Sequence, residues 1–428
     1  MTDTDLDALR NMSLLDPAVQ NDPFDFYALL HEHGPIYQIP ETGVFVVSRF
    51  DEVKAVLLDH EGFSSRFGDS FLELQGPEQQ QLYASILREE GWPHSLSLQN
   101  ADPPLHTKHR KLIEFAFSRK NVLQMADEID AICHNLIDAF ASGGCCEFVS
   151  QFAMPLPGIL IAKLIGLNAD QLPLFKRWAD ALLAPITHVM TVEETADVAR
   201  AEVELQHFLA RMREERCKRP TGDIISTLAT QPANDGAVLP MIEYQYVLRQ
   251  LIAGGFETTM NAISHAMWLL LRYPEQMRKL RSDPSLMPKF IDEVVRFDAP
   301  VQGLLRRATR ATEIAGTLIP ENAIVMVRYG AANRDPRQFA CPHLFDIERK
   351  NVATHVGFGN GIHFCIGRTL ARQEMHSAFT ALLSRLDSIE IARPLPQPPH
   401  SPSLLFRPFK EMHLRFDVVS DRGERRFP

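Results

Sequence analysis

The chain has 428 residues and a formal net charge of −10. That acidic balance excludes a nucleic-acid binder, which needs lysine and arginine clustered over a broad face to neutralise phosphates. A content of 45% hydrophobic and 23% charged residues is that of an ordinary globular protein, easily large enough to enclose a flat apolar cofactor, and it excludes disorder except at the ends, residues 1–20 above all. The start, M-T-D-T-D-L-D-A-L-R, is acidic and polar, unlike a signal peptide or anchor, and no apolar run is long enough to span a bilayer. Six cysteines without repeating spacing make neither a disulfide framework nor a paired zinc site, so a reducing cytoplasm is expected. Since no linker, charge block or repeat divides residues 1–428, a single domain and a monomer are expected.

In chain order, apolar runs at 36–39 and 44–47, joined by P-E-T-G, predict a β hairpin. Residues 67–99 are rich in glutamine and predict no particular contact. At 102–110, D-P-P-L-H-T-K-H-R sets His106 and Arg110 one turn apart on a shared helix face, and Lys108, His109 and Lys111 surround Arg110 as a local positive patch. Helix-like stretches follow at 121–140 and 203–215. Residues 244–271 are apolar on most faces and would run about 42 Å as one helix, which places it in the interior.

At the centre of that stretch Gly254 and Gly255 weaken the helix, and Glu257, Thr258 and Thr259 are costly polar guests in apolar surroundings. They can be satisfied locally, the threonine by a carbonyl one turn back and the glutamate by an ion pair, or they can serve chemistry. Further on, Glu293 and Arg296 are three apart and share a helix face, allowing a charge-assisted pair. Short extended runs at 318–319 and 323–327 predict strands. The proline-rich 393–402 cannot continue a helix and is expected to cross the surface toward a last strand. The sum is a mostly α protein with small β sheets.

Cys365 is the most informative residue. It ends the loop F-G-N-G-I-H-F-C-I-G, in which glycines at 357, 359 and 361 let backbone N–H groups crowd toward one sulfur, while Gly367 keeps the next turn clear. Ala371, Met375, Ala378, Phe379, Leu382, Leu383 and Leu386 then fall on one face, so Cys365 is expected to open a long amphipathic helix. Backbone donors and a helix N-terminus favour a thiolate, which suits metal binding. Cys133 and Cys217, by contrast, fit ordinary buried thiols.

The pattern Phe358, Gly361, His363, Cys365, Gly367 resembles the haem-binding signature of the cytochrome P-450 family of haem-thiolate monooxygenases, with His363 where many members carry arginine. The run from Gly254 to Thr259 resembles that family's oxygen-binding acid–alcohol motif, Glu293 and Arg296 its Glu-x-x-Arg element, Arg349 the third member of the same network, and 331–339 its meander.

The resemblance implies the cytochrome P-450 fold, with haem b between the central helix and the helix after the cysteine loop, and Cys365 as the iron ligand. It implies Glu257 and Thr258 as a proton relay. His106, Arg110, Arg306 and His363 would bind the propionates, and Phe358, Gly359, Gly367 and Ala253 would lie against the porphyrin. Substrate contacts are implied at Trp92, Leu183, Ile186, Leu251, Val301, Leu304 and Phe406, all apolar, which suits a terpenoid, steroid-like or aromatic molecule. The soluble bacterial class further implies dioxygen as co-substrate and electrons from a ferredoxin-type donor and its reductase. The donor is expected at the positive patch around Arg110. A peroxide-driven peroxygenase and a non-catalytic haem-thiolate sensor are the alternatives.

Overall fold

The computed structural model describes residues 9, 12–66, 75–167, 171–187, 189–395 and 399–419, the side chains of 172, 186 and 187 excepted. Residues 1–8, 10 and 11 of the 1–20 start fall outside that set, as do residues 67–74 of the polar 67–99 stretch and the side chain of Ile186. Helices dominate. Among the described residues ten short strands accompany them: β1 (Ile36–Gln38), β2 (Phe45–Val47), β3 (Phe63–Ser64), β4 (Cys145–Glu147), β5 (Leu304–Ala308), β6 (Thr312–Ile314), β7 (Thr317–Ile319), β8 (Ile324–Val327), β9 (Leu386–Ile391) and β10 (His413–Val418). They make a five-stranded sheet in the order β1-β2-β8-β5-β3, a three-stranded sheet β4-β10-β9, and the hairpin β6-β7.

The first hairpin pairs Ile36 with Val47 and Gln38 with Phe45, and its turn is closed by the Gly43 N–H on the Ile39 carbonyl at 2.8 Å. β2 then runs parallel to β8, which pairs antiparallel with β5. One face of this sheet buries Ile36, Phe45, Val47, Val325 and Val327 with Phe50, Val53 and Phe339, the alternation that period-2 strands produce.

Helix boundaries differ from expectation in instructive ways. The 121–140 stretch is two helices, Arg119–Gln124 and Ala126–Ala141, broken at Met125. The 203–215 signal belongs to a far longer helix, Val192–Lys218, whose start is capped by Thr191 accepting from the Glu194 N–H at 3.2 Å. The central helix covers Met241–Arg272, 32 residues and about 48 Å.

Cys365 does not open the last long helix. A 3₁₀ turn at Gly361–His363 precedes it, and the helix itself is Arg368–Arg385 with Gly367 at its cap. Met375, Ala378, Phe379, Leu382 and Leu383 are buried on it, Ala371 is half-buried, and Leu386 begins β9. The proline-rich stretch is not merely a surface connector either. From residue 399 the chain folds back on itself: Ser401 N–H meets the Pro408 carbonyl, Lys410 N–H meets that of Pro399, and His400 is buried.

Chain contacts group into two compact units: Met1–Phe63, Val122–Pro157 and Glu257–Pro428 form the first, and Ser64–Asn121 and Gly158–Phe256 the second. Cys365, Glu257, Thr258 and the Glu293 helix all belong to the first. In the second, Tyr83, Ile86 and Leu87 pack with Ala181, Met190, Val198, Ala199 and Val203. No helix among the described residues is long and apolar enough to cross a membrane.

Candidate functional site

The cysteine loop is drawn into shape by its own backbone. Cys365 N–H donates to the Phe358 carbonyl at 2.9 Å, Gly359 N–H to that of Val356 at 2.8 Å, and Phe364 N–H to that of Gly361 at 3.1 Å. Gly361 is indispensable to this path, because its φ is +69° and a Cβ there would come within 2.4 Å of the Leu57 carbonyl oxygen. The Cys365 thiol is half-buried, whereas Cys133 and Cys146 are buried and burial pushes their thiols up, that of Cys146 to about 12. Cys217, expected inside, is exposed at the polar end of the Val192–Lys218 helix. A Cβ added to Gly367 would stand 3.9 Å from Cys365 Sγ, so that glycine lies directly beside the sulfur.

Two polar networks in the same unit are built on the Met287–Phe297 helix, which carries Asp292, Glu293 and Arg296. Arg296 donates from Nε and Nη2 to the two Glu293 carboxylate oxygens at 2.7 and 2.8 Å, and Arg349 Nε reaches the same carboxylate at 3.2 Å. The guanidinium donors left over go to the carbonyls of Asn333, Pro342 and Leu344 from Arg296, and of Ala340, Cys341 and Leu344 from Arg349. These buried ions are tolerable because each is paired and its hydrogen bonds are filled.

The second network was missed at the sequence level. His355 Nδ1 accepts the Gly357 N–H at 3.0 Å, its Nε2 lies 3.5 Å from Asp292, and Arg372 pairs with the same carboxylate. Burial, aided by Arg368 and Arg296, lowers His355 to about 3, so its ring is neutral and free to accept. Nothing in the string T-H-V-G marks that histidine as a loop anchor. Val356 N–H adds a bond to Asn333 Oδ1 at 2.8 Å.

Of the other residues singled out in this unit, Arg306 is buried on β5 beside Tyr329, whose phenol burial pushes up against the opposing pull of that guanidinium. His363 and Phe358 are half-buried on the loop, Leu304 begins β5, and Val301 bridges to Phe406. Glu257 is buried and Thr258 half-buried on the central helix.

In the second unit, Leu251 and Leu183 are buried, Ala253 is half-buried, and Gly254 faces open space, an added Cβ meeting no atom within 4 Å. Gly255 differs: a Cβ there would press to 2.4 Å from Ile161. His106 is buried and Arg110 half-buried on the Leu105–Ile113 helix. Trp92 is half-buried and tied by Gln206 at both its N–H and carbonyl, and its ring lies against the exposed His207 at 5.3 Å.

The positive patch expected around Arg110 is not there. Lys108 pairs with Asp235 and Glu243 at 3.2 and 3.1 Å, and His109 is fully buried with Nε2 2.9 Å from Glu243. Two carboxylates from the 235–243 stretch cancel what a linear reading counted as free charge, leaving Lys111 exposed.

A half-buried thiol in a backbone-braced loop and, in the same unit, a buried arginine on β5 are groups of the kind that suit a metal-bearing cofactor with anionic side groups. Comparison with known proteins agrees. The family model described as Cytochrome P450 matches residues 167–415. A putative cytochrome P450, YjiB, of Bacillus subtilis is 36% identical over 86% of this chain and 88% of its own. The 6-deoxyerythronolide B hydroxylase of Saccharopolyspora erythraea is 32% identical over 94% and 99%. Among solved structures, cytochrome P450 CYP109Q5 of Chondromyces apiculatus superposes with a TM-score of 0.82 at 30% identity, covering 96% of this chain and all of the other.

Proposed function

The chain belongs to the cytochrome P450 family, a haem-containing oxidoreductase, and on that premise we propose that it is a three-component monooxygenase hydroxylating a hydrophobic small molecule with electrons from a ferredoxin-type donor. Haem b, when bound, supplies the activation of dioxygen and the transfer of one oxygen atom to the substrate. All other work falls to the chain.

Cys365 offers the sulfur that would hold the iron, and its place in the backbone-braced loop, with Gly367 beside the sulfur, is the observation that carries the reading. Phe358, Gly359 and Gly367 would lie against the porphyrin from the loop, and Ala253 from the central helix. Buried Arg306 and half-buried His363 are the propionate partners in the first unit, and His106 and Arg110 those in the second. Thr258 would hold a proton at its hydroxyl for delivery to the reacting oxygen, and Glu257, its neighbour in sequence and largely screened from water, would resupply it. The Glu293, Arg296 and Arg349 cluster keeps the loop in place and does no chemistry.

Val301, Leu304, Phe406, Leu183 and Leu251 are proposed as substrate contacts, with Ile186 beside Leu183 on its helix. Trp92, whose ring packs against His207, is proposed with them from the second unit. The apolar character of this set, and a relative named for hydroxylating 6-deoxyerythronolide B, support a bulky, largely apolar substrate such as a terpenoid, steroid-like or aromatic compound. Each unit is assembled from separated stretches of chain, so no single cut divides them, which supports reading residues 1–428 as one domain.

The test begins with the purified protein, reduced and saturated with carbon monoxide. The far-shifted absorption peculiar to thiolate ligation is expected, and its loss in Cys365→Ser; an unshifted band in native material overturns the assignment. Titration with a panel of hydrophobic compounds, followed by the low-to-high-spin change, then finds the substrate class. Turnover with a ferredoxin, its reductase and dioxygen, and little with peroxide alone, is expected.

A further inference from the structure

On the central helix, two turns beyond the proposed relay, a histidine is buried completely. His265 Nδ1 lies 2.9 Å from the carbonyl oxygen of Asp298, and its Nε2 lies 3.0 Å from the carbonyl oxygen of Arg407. These are the two backbone segments that carry the apolar residues proposed above for substrate contact: Val301 bridges to Phe406, Arg407 N–H donates to the Pro300 carbonyl at 3.1 Å, and Gln302 N–H to that of Leu405 at 2.7 Å. One turn earlier on the same helix face, Asn261 Oδ1 accepts the Phe409 N–H at 3.0 Å. The helix thus grips both segments through side chains that have no part in the proposed chemistry.

We propose that His265 is a positioning residue, setting the separation of the Val301 and Phe406 segments, and hence substrate affinity and orientation, by hydrogen-bonding a carbonyl on each. The inference rests on the reading of Val301 and Phe406 as substrate contacts. A neutral imidazole has one N–H and can satisfy only one of the two carbonyls, whereas the imidazolium satisfies both. Which form is present depends on the groups around it. Burial lowers the affinity of His265 for its second proton, the Asp298 carboxylate and the two carbonyls oppose that, and the Arg407 guanidinium adds to it.

The remaining neighbours hold still in mild acid. His400, its ring 5.2 Å away, is lowered far further by burial and Arg407 and accepts from Arg407 at Nδ1. Asp298, which burial alone would raise, is held far below the carboxylate range by Arg407, which bonds it at 2.7 Å, together with His265, His400 and Arg334. Arg334 itself falls only to about 9. His265 is the group of this cluster that gains a proton as pH falls below the ordinary histidine range, and the second carbonyl bond forms then.

The experiment compares haem-loaded wild type with His265→Phe and His265→Gln, using the spin-state titration with a fixed panel of hydrophobic compounds and the ratio of regioisomeric products. Val301→Ala and Phe406→Ala run alongside. Expected are wild-type haem content and carbon monoxide band, a Kd about fivefold weaker in the phenylalanine variant with a shifted product ratio, and a smaller effect in the glutamine variant, which keeps one donor. Wild-type Kd should tighten as pH falls below 6.5, and that of His265→Gln should not. If the phenylalanine variant takes up no haem, the glutamine variant and its pH profile decide. Unchanged affinity, product ratio and pH profile in the His265 variants, with Val301→Ala or Phe406→Ala altering them, overturns the positioning role. Unchanged behaviour in those two alanine variants instead removes the substrate-contact reading on which it stands.

Discussion

Thr258 illustrates how much one side chain can be asked to do. A threonine hydroxyl in a half-buried stretch of helix stands next in sequence to a carboxylate screened from water, a polar pair within an otherwise apolar run. On the proposed relay, Thr258→Ala leaves iron ligation and substrate binding intact but removes the group that hands a proton to the reacting oxygen. Consumption of reducing equivalents should continue while product falls by about 10²-fold or more and hydrogen peroxide accumulates. Peroxide and product assays on the same reaction check this, and full coupling in the variant removes Thr258 from the mechanism. The glutamate at 257 was visible for the same reason, a charge inside an apolar run. Lys108 and His109 were misread because their partners, Asp235 and Glu243, lie more than a hundred positions away, and no linear spacing reveals such pairing.

At the scale of elements, the central helix and the helix after the cysteine loop were legible because 3.6-residue periodicity over several turns is hard to imitate. The β4, β5 and β9 strands were not, since three to six residues of mixed burial carry too little pattern, and β9 continues directly from the end of a helix. Val192–Lys218 was underestimated at its start, where Glu193, Glu194 and Asp197 dilute the apolar stripe although the Thr191 cap fixes the boundary. The cysteine loop rests on backbone rather than side-chain pattern. Gly361→Ala forces a left-handed conformation and a clash with the Leu57 carbonyl, so a loss of about 1–3 kcal/mol in stability, with reduced haem content, is expected in thermal unfolding and pigment assays. Glu293→Gln leaves two buried guanidinium groups facing a neutral amide, and a cost of about 3–5 kcal/mol follows, enough to abolish haem retention at 37 °C. Retained pigment in that variant would show the cluster to be dispensable.

For the molecule as a whole, acid should be the weak side. His355, lowered to about 3, and His400, lowered by burial and Arg407, stay neutral in the native state while their unfolded counterparts take protons near pH 6.5. Below that pH the unfolded chain binds more protons, so stability is intact above about 6.5 and declines steadily from there toward 3. Asp298, whose native affinity for protons is depressed, adds to the decline as pH drops through the carboxylate range. Denaturant midpoints measured from pH 7.5 to 4.5 should fall monotonically, and a flat profile contradicts the neutral burial of these rings. The adjacent glycines of the central helix have opposite freedoms. At position 255 growth by one methyl is blocked by an isoleucine from the same unit, while at 254 it meets nothing. A methyl added at 254 is therefore accommodated where the same methyl at 255 must displace the Ile161 side chain, so of two neighbouring glycines only the second is demanded by how its unit packs.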